Sequence, residues 1–447
     1  MRILIVGAGA VGFQLAEHMS EEGHDIVLVD QDAERLERAQ DQLDIMTVVG
    51  NGASFAVLEK AGVARAQLLT AVTNVDEVNL VACMTAASFD LKVKVARVSN
   101  PDYFLEVSRL HSARRGVDVM INPELECARE TFQLLQSEAA SEIAFFAGGR
   151  VQVTGLRIQP EAPIIGKTLA DVAAMIKDRR FLTAAIHRGE ETIVPGGGDH
   201  FEAGDEAYII GDPKQLPRVL ELAGYPEFRL QRVMIAGGSR TGVYLAKILE
   251  DHDVECTIIE ADRAKCAALA ATLSKTLVLH GNATDMELLE MEGVEGIDGF
   301  VVLTGHDDTN MLASLLAKEK KVRKVVSLIN KIEYIELVDK VGIDAAVSPR
   351  LSAVNAILKY VRRGTVTGVA ALRGIEAEVI EFEVEPDSQV TGKTLAEIDF
   401  PDDSLVGAIT REGEVIVPMG NVALHNGDRV TVLALPRAVA AVEQLFE

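Results

Sequence analysis

Three glycines near the start of the chain have a spacing that can cradle phosphate groups. Gly7, Gly9 and Gly12 follow the apolar run Ile3–Val6 and precede a helical pattern that begins at Phe13. In this context the first glycine permits a tight turn, the second lets a pyrophosphate approach the backbone, and the third lets the helix pack closely on the strand. The helix N-terminus directs amide groups and a positive dipole at the phosphates. The segment predicts a dinucleotide site formed by Gly7, Ala8, Gly9, Ala10, Val11 and Gly12.

An acidic residue stands 18 positions after the last of these glycines. Asp30 closes the apolar run Ile26–Val29, and a carboxylate at the tip of a second strand can accept hydrogen bonds from the ribose hydroxyls of an adenosine. The same carboxylate would repel a 2′-phosphate, and the neighbouring Gln31 carries no compensating charge. The pattern therefore favours NAD(H) or an adenine nucleotide over NADP, and the alternative is a glycine turn without a ligand.

Further candidate residues follow the other predicted strands, because open α/β sheets bind ligands at the ends of their strands. Asn51 follows the third strand, Thr73 and Asn74 follow the fourth, and Arg97 lies near the end of the fifth. An arginine within the apolar segment Val95–Val98 needs an anionic partner. A ligand phosphate and a carboxylate of another subunit would both serve, and a structural salt bridge is an equal alternative.

The chain contains the same set of motifs twice. Paired residues recur in the same order at offsets of 230 or 231 in the first part and of 226 to 223 later: Gly7 and Gly237, Asp30 and Glu260, Thr73 and Thr304, Asn79 and Asn310, Gly166 and Gly392, Asp205 and Asp428. The drift indicates short deletions in loops, and the colinear order argues against chance similarity.

Each half combines two kinds of hydrophobic pattern. Residues 1–139 alternate short β-branched runs with helical patterns, which is typical of βαβ units on a parallel sheet. The following residues indicate four strands, glycine-rich turns and one helix opened by Lys167-Thr168-Leu169. The predicted fold class is α/β: two Rossmann-type parallel-sheet domains, each followed by a small α+β module, over residues 1–139, 140–226, 227–363 and 364–447.

The second glycine-rich loop departs from the first in two ways. Ser239 replaces the middle glycine and keeps a pyrophosphate farther from the backbone, while Leu328 stands where Arg97 stands in the first copy. Arg240, however, could itself contact a phosphate. Whether this loop binds any nucleotide therefore stays open. Its candidate residues are Gly237, Gly238, Ser239, Arg240, Thr241, Glu260, Thr304 and Gly305.

The composition excludes several classes of function. The chain has 44 Lys and Arg against 68 Asp and Glu, a net charge of −24 that repels nucleic acid and anionic lipid. Its four cysteines form no CxxC pair and fit reduced thiols. No apolar run approaches the roughly 18 residues of a membrane span, and Ile3–Ala16 is interpreted as strand, turn and helix, not as a targeting segment. We expect a soluble protein without direct lipid insertion.

A dinucleotide fold suggests a dehydrogenase, which would need general acid–base chemistry beside the cofactor. The nine histidines are scattered and form no HExxH motif. The acidic pairs Asp76-Glu77 and Asp307-Asp308 come at predicted helix starts, where acids complement the helix dipole. We therefore predict neither catalytic residues nor a metal site. A soluble NAD-dependent oxidoreductase is the alternative, and a scaffold without nucleotide is a third hypothesis.

The order of these motifs resembles the RCK (also KTN) domains that regulate potassium conductance. The resemblance rests on Gly7–Gly12, Asp30, Thr73–Asn79, Gly166–Leu169 and Gly204-Asp205, and the doubled set extends it over essentially all 447 residues. Two tandem copies in one soluble chain are similar to the cytosolic subunits of bacterial Trk potassium-uptake systems. The resemblance implies a non-enzymatic gating subunit that binds NAD(H) and ATP or ADP through the residues named above.

The same resemblance implies a partner and an assembly. The partner would be a TrkH-type membrane potassium channel or transporter subunit, which would hold this chain at the cytoplasmic face of the inner membrane. RCK-like gating rings resemble closed assemblies of eight units, so a chain with two units predicts a homotetramer. We expect contacts through helical faces such as Glu124–Leu135 and Leu351–Arg362. The stripe Val354, Ile357, Leu358 and Val361 suits a partner helix or packing on its own domain.

Overall fold

The computed structural model describes most of the chain in two compact units. The described residues are 1–21, 23–89, 91–105, 116–176, 179–189, 191–225, 228–361, 366–372, 375 and 377–446. The first unit combines Met1–Cys127 with Ser348–Arg362, and the second combines Ala128–Val347 with Arg363–Glu447. His111, one of the nine scattered histidines, lies outside the described residues.

The first unit is built on a parallel sheet of six strands. The strands are β1 (Arg2–Val6), β2 (Asp25–Asp30), β3 (Met46–Val49), β4 (Leu68–Ala71), β5 (Val93–Arg97) and β6 (Val119–Ile121). The helices that follow them are α1 (Ala10–Glu21), α2 (Ala33–Gln42), α3 (Phe55–Lys60), α4 (Asp76–Ala86), α5 (Asp102–Leu105) and α6 (Pro123–Leu135). The strand order β3-β2-β1-β4-β5-β6 is that of a Rossmann sheet. Helix α1 begins at Ala10, three residues before the predicted start at Phe13, so the phosphate loop runs directly into the helix.

The residues that follow form an antiparallel sheet in the order β10-β9-β11-β8-β7, made of β7 (Ala140–Phe146), β8 (Val151–Arg157), β9 (Phe181–Arg188), β10 (Glu191–Ile193) and β11 (Glu206–Gly211). The sheet is accompanied by α7 (Leu169–Ala174) and α8 (Leu216–Leu222). Strand β7 is not evident from the sequence, because its opening Ala-Ser-Glu lacks β-branched residues. Helix α8 was not predicted either, because Pro217 looks like a helix breaker although proline is well tolerated in a first helical turn.

The second half repeats both sheets. A parallel sheet in the order β14-β13-β12-β15-β16-β17 contains β12 (Arg232–Ala236), β13 (Glu255–Glu260), β14 (Leu277–His280), β15 (Gly299–Val302), β16 (Lys324–Leu328) and β17 (Ala345–Val347). Its helices are α9 (Arg240–Asp251), α10 (Arg263–Thr272), α11 (Met286–Met291), α12 (Asp307–Glu319), α13 (Ile335–Lys340) and α14 (Pro349–Val361). The predicted α/β fold with two Rossmann-type sheets is confirmed.

The second small module closes the chain. Its strands are β18 (Val366–Leu372), β19 (Ala377–Glu383), β20 (Ser404–Arg411), β21 (Glu414–Ile416) and β22 (Arg429–Ala434), followed by α15 (Pro436–Phe446). The two small modules share one apolar core, in which Val151 and Tyr208 of the first lie in the same cluster as Val379 and Leu433 of the second. The modules therefore stabilise each other by burying apolar surface.

An ion pair between a buried aspartate and a partly exposed arginine occupies the same place in each small module. Arg188 donates from Nε and Nη2 to the two carboxylate oxygens of Asp205, both at 2.8 Å. Arg411 binds Asp428 in the same way, also at 2.8 Å. Both aspartates were noted in the sequence as repeated motif residues, but their arginine partners were not predicted. Because each aspartate also accepts a backbone N–H three residues earlier, the pair closes a turn as well as balancing charge.

Helix α14 does not lie where either sequence hypothesis put it. Val354, Ile357 and Leu358 are buried in one cluster with Val11 and Leu15 of α1, so the stripe packs on the first Rossmann sheet of the same chain. It serves neither another subunit nor the helix's own domain. The side chain of Val361 lies outside the described part of the structure.

Helix α6, which comes from the first half of the chain, packs in turn on elements of the second half. The ring of Phe132 lies 4.4 Å from that of His252, at the end of α9. Leu135 lies so close to Gly299 of β15 that a Cβ atom there would come within 2.7 Å of its Cδ2. Each half of the chain therefore contributes its last Rossmann helix to the other half.

Candidate functional site

The glycine-rich loop after β1 needs two of its three glycines for the fold itself. Gly7 has a φ of +110°, and a Cβ atom there would lie 2.9 Å from the backbone nitrogen of Thr73. A Cβ atom at Gly12 would lie 1.7 Å from the carbonyl oxygen of Gly7. At Gly9 the nearest atom, Nη1 of Arg35, would be 4.0 Å away. The protein therefore leaves open space at Gly9, where the motif expects a pyrophosphate.

Asp30 fastens this loop to the end of β2. Its Oδ2 accepts a hydrogen bond from the backbone N–H of Ala8 at 2.6 Å, and its Oδ1 accepts one from Asp32 at 2.9 Å. A carboxylate oxygen has a second lone pair. Asp30 can therefore hold the loop and still accept hydrogen bonds from a ribose, as the sequence predicts.

The ends of β4 and β5 are joined by one buried amide, Asn79. Its Oδ1 accepts from the backbone N–H of Thr73 at 2.9 Å and from the Thr73 hydroxyl at 2.7 Å. Its Nδ2 donates to the carbonyl oxygens of Thr73 and Arg97, both at 2.9 Å. The sequence showed Asn79 only as a repeated residue. Its recurrence as Asn310, which makes the equivalent bonds to Thr304 and Leu328, was the available signal.

The guanidinium group of Arg97 is held beside the loop, and no residue that the structure describes gives it an acidic partner. Its Nη1 donates to Oδ1 of Asn74 at 3.0 Å and lies 3.5 Å from the Thr73 carbonyl oxygen. Its Nε is buried without a hydrogen-bond partner. Among the described residues no carboxylate forms an ion pair with it, so the structural salt bridge considered from the sequence is absent there. Of the anionic partners considered from the sequence for Arg97, a ligand phosphate and a carboxylate of another subunit remain.

Two adjoining hollows extend from the loop and share Gly9, Arg35, Val72 and Asn74. The smaller hollow, of about 220 Å³, is lined by Asp30, Gly50, Gly52 and Thr73 among others. The larger hollow, of about 620 Å³, is lined by four arginines and no carboxylate: Arg35, Arg38, Arg97 and Arg350. We call the two together the arginine groove. Two of these arginines have acidic neighbours, Arg35 with Asp32 at 3.1 Å and Arg38 with Glu34 at 3.9 Å. Arg97 has none among the described residues, so its guanidinium group is the one best suited to an anionic ligand.

The lining of the groove differs from the predicted site in several places. Asn51 is absent from it, since its Oδ1 accepts from the backbone N–H of Ala53 at 2.9 Å. Arg35, Arg38 and Arg350 line it but were not predicted. The first two lie three residues apart on α2, directly after the acidic strand end, which was a usable signal. Arg350 comes from the second half of the chain on α14, where no local pattern could assign it.

The second glycine-rich loop keeps the carboxylate hydrogen bonds of the first loop but differs from it in its side chains. Glu260 accepts from the backbone N–H groups of Gly238 and Asp262 at 2.9 and 2.8 Å, as Asp30 does in the first copy. The Ser239 hydroxyl accepts from the backbone N–H of Gly242 at 3.3 Å and so caps α9. The predicted residues lie on the segments that follow β12, β13 and β15, at the carboxyl edge of the second sheet: Gly237, Gly238, Ser239, Arg240, Thr241, Glu260, Thr304 and Gly305.

The arginine groove offers little for acid–base chemistry. Its lining, over the described residues, contains no histidine, cysteine, lysine or tyrosine, and Asp30 is its one carboxylate. No group of three or more potential metal-ligating side chains occurs within the part of the chain that the structure describes. Separately, none of the described helices is both long and apolar enough to span a bilayer.

Family comparison accounts for most of the chain. The TrkA-N domain matches residues 3–123 and 233–349, and the TrkA-C domain matches residues 153–224 and 379–447. The chain belongs to the TrkA family. The resemblance inferred from the motifs is therefore confirmed, and the TrkA domains alternate in the predicted order. The four domain boundaries given above stay predictions.

TrkA relatives match this chain over its full length. The Trk system potassium uptake protein TrkA of Halomonas elongata is 36% identical over 100% of this chain and 99% of its own. TrkA homolog 2 of Methanosarcina mazei is also 36% identical, over all of both chains. Among solved structures, the GsuK RCK domain covers 100% of this chain and 94% of its own, with a TM-score of 0.60 at 19% identity. That likeness shows a shared fold.

Proposed function

We propose that this chain is a nucleotide-sensing regulatory subunit that gates a membrane potassium-uptake channel. The observation that carries the proposal is the arginine groove, which places four guanidinium groups beside the open phosphate loop. Membership of a family whose relatives are named potassium uptake proteins supports the assignment to potassium transport.

We infer that the groove binds NAD(H). The adenosine would occupy the smaller hollow, with its ribose on Asp30, and the pyrophosphate would lie over Gly9. The second nucleotide would extend into the larger hollow beside Arg97. A solved GsuK channel, whose TM-score is 0.60 at 19% identity over all of this chain and 78% of its own, carries NAD. ATP and ADP share the adenosine and would compete for the same hollow.

We infer further that the groove performs no reaction on its ligand. Hydride transfer requires a group that takes or gives a proton beside the substrate, and the described lining supplies only arginines and Asp30. The test is incubation of the purified chain with NADH and candidate hydroxy and oxo acids. Steady consumption of NADH with any of them would support the oxidoreductase alternative.

The groove couples the ligand to both halves of the chain. Arg350 lies at the start of α14, which belongs to the second half of the sequence but lines the first half's groove. A ligand shifts a conformational equilibrium only as far as its affinities for the two conformations differ. We propose that contact between a ligand phosphate and Arg350 supplies that difference.

We propose a TrkH-type membrane subunit as the partner, with this chain attached to it at the cytoplasmic face. The test is potassium flux through the partner in proteoliposomes, with the chain and NADH, NAD⁺, ATP or ADP added in turn. We expect the flux to change when nucleotide is added with the wild-type chain. A flux that is the same with and without the chain, at every nucleotide, would contradict the proposal.

Replacing Asp30 with alanine should weaken NADH binding by about tenfold or more. A hydrogen bond to a charged group contributes on the order of 1.5–3 kcal/mol, and the variant removes the ribose acceptor. Glu260→Ala is a matched control, because Glu260 holds the same two backbone N–H groups in the second loop. We expect calorimetry to show weaker binding for Asp30→Ala only. Equal affinities for both variants would remove Asp30 from the ligand site.

We propose assembly as a homotetramer through one face of α4 and the equivalent face of α12. Val81 and Met84 on α4 are 43% and 50% exposed, and Leu312 and Leu315 on α12 are 51% and 36% exposed. These pairs are 231 positions apart, so both halves keep an apolar patch at the same place. Helical faces are the surfaces that parallel sheets of this kind present to partners.

Light scattering should give the wild-type chain a mass near four times 48.1 kDa. Met84→Glu and Leu315→Glu should lower that mass, because each introduces a charge into an apolar contact. Met419→Glu is the control, since Met419 is 57% exposed on the second small module. A wild-type mass equal to that of one chain at micromolar concentration would contradict the tetrameric ring. A dimer mass would mean that the ring forms only when the chain docks to the channel.

A further inference from the structure

A separate polar hollow of about 400 Å³ lies in the second compact unit. Arg323 and Asp344, which directly precede β16 and β17, form one wall. This is the edge of the second sheet opposite to its glycine-rich loop. Glu138, Arg157 and Tyr225 of the segments around the first small module form the other wall. We call this hollow the lower pocket.

Two carboxylates that line the lower pocket already have hydrogen-bond partners within the protein. Both carboxylate oxygens of Asp344 accept from Nζ of Lys318, at 2.9 and 3.0 Å. The Oε1 of Glu206 accepts from the hydroxyl of Ser141 at 2.6 Å. These pairs form part of the wall.

Three groups remain unsatisfied and define what the pocket can bind. The guanidinium groups of Arg157 and Arg323 are exposed and make no hydrogen bond or ion pair with the described residues. The Oε2 of Glu138 is buried and accepts from no donor in that part of the chain. Burial raises the pKa of Glu138, although the positive charges of Arg323, Lys318 and Lys324 lower it. The pocket therefore has a place for an anion and a place for an N–H group.

A buried lysine adds positive charge beneath these groups. Lys324 is fully buried, and its Nζ donates to the carbonyl oxygens of Ala140 and, at 3.3 Å, of Glu138. Burial lowers the pKa of Lys324 to about 8, so the ammonium group is mostly charged at pH 7. With Lys318 paired to Asp344, three cations (Arg157, Arg323 and Lys324) face the two carboxylates of Glu138 and Glu206, so the remaining charge near the pocket is positive and favours an anion.

The ring of Tyr225 provides an aromatic wall that cannot easily turn away. Its hydroxyl donates to the carbonyl oxygen of Arg157 at 2.9 Å and accepts from Nε2 of Gln159 at 2.6 Å. An aromatic ring held by two hydrogen bonds offers a flat apolar surface for a planar ligand.

We propose that the lower pocket binds a mononucleotide whose base carries an exocyclic amino group. Its phosphate would lie between Arg157 and Arg323, its base against Tyr225, and its amino group would donate to Oε2 of Glu138. Inorganic phosphate would leave Glu138 and Tyr225 unused, and an amino acid with an aliphatic side chain would leave Tyr225 unused. The volume lies within the usual range for small-molecule sites, about 300–1,000 Å³. The site is independent of NADH in the arginine groove.

The test uses the full chain carrying Gly9→Ser, which closes the arginine groove, and AMP as the probe in calorimetry. We expect one strong AMP site per chain. Arg157→Gln and Arg323→Gln should each weaken it at least about tenfold, the loss of one charged hydrogen bond. Arg263→Gln, an exposed arginine on α10, should leave the affinity unchanged. Thermal unfolding of each variant checks that the chain remains folded.

The base supplies a second, independent readout. IMP carries a carbonyl where AMP carries the amino group, and UMP carries one where CMP does. We therefore expect IMP to bind at least about tenfold more weakly than AMP, and UMP than CMP. Glu138→Gln places an amide N–H₂ at the same point and should improve IMP binding. No AMP binding, AMP binding unaffected by both arginine substitutions, or inorganic phosphate and IMP binding as tightly as AMP would overturn the proposal. NADH binding by the wild-type chain tests the arginine groove separately.

Discussion

Replacing Gly9 with serine should abolish NADH binding while the fold is kept and slightly stabilised. A Cβ atom at Gly9 meets no protein atom closer than 4.0 Å, so the chain itself tolerates the side chain. The second loop already carries this residue as Ser239, whose hydroxyl caps α9. In the first loop the same hydroxyl would occupy the approach to the helix amides. We expect a loss of at least about a hundredfold in affinity, because several backbone hydrogen bonds to phosphate, each on the order of 1–3 kcal/mol, are lost together.

Thermal unfolding without and with NADH separates the loss of the ligand site from a loss of the fold. Serine is preferred over glycine at a helix N-cap by a few tenths of a kcal/mol, so the ligand-free variant should unfold at the same temperature as the wild type or slightly above it. Added NADH should raise the unfolding temperature of the wild type by mass action and leave that of the variant unchanged. Wild-type affinity in the variant would show that no phosphate lies over Gly9.

Replacing Asp428 with alanine should destabilise the chain by about 2–3 kcal/mol, because a buried aspartate loses its charged hydrogen bonds to a partly exposed arginine. Asp428 is 1% exposed and binds Arg411 through both oxygens at 2.8 Å. Its loss leaves the guanidinium group without a counter-charge and frees the backbone N–H of His425, which Asp428 also binds. The free energy of unfolding from urea titration measures the effect.

Glu221→Ala is the control for this variant. Glu221 forms an ion pair with Arg218 on the exposed face of α8, where water screens both charges. Exposed pairs contribute at most about 1 kcal/mol, so the urea midpoint should hardly move. A similar change in both variants would show that the Arg411–Asp428 pair contributes no more than a surface contact.

The fold was predictable where the information is local or repeated. Strands such as β1 and β12 are apolar runs that a parallel sheet buries on both faces, and the doubled motifs indicated two Rossmann-type sheets. Strand β7 was missed because its first residues, Ala140-Ser-Glu, have weak strand preference and are placed by pairing with β8. Its structure depends on a neighbour that no short window of sequence contains.

The residues of the candidate site were likewise predictable only where the information is local. Gly12 is required by a contact within the turn, Gly7 has the positive φ of a tight turn, and Asp30 lies at a fixed distance after them, so all three follow from spacing. Arg350 reaches the groove only because α14 packs on α1. Its placement depends on a helix exchanged between halves, which leaves no trace in the residues around Gly7. Whether these side chains contact NADH stays a prediction that the substitutions above test.

The exchange of α6 and α14 also bears on how the two halves of a duplicated chain can diverge. If the units were separate polypeptides, a copy that lost its phosphate loop would compete with intact copies for pairing. Covalent linkage keeps the effective concentration of one half near the other high and the ratio fixed at one to one. The half that carries Ser239 and Leu328 can therefore lose ligand contacts of its own and still deliver Arg350 to its neighbour's groove. Duplication therefore leaves the second half free to change its own loop while its α14 completes the groove of the first.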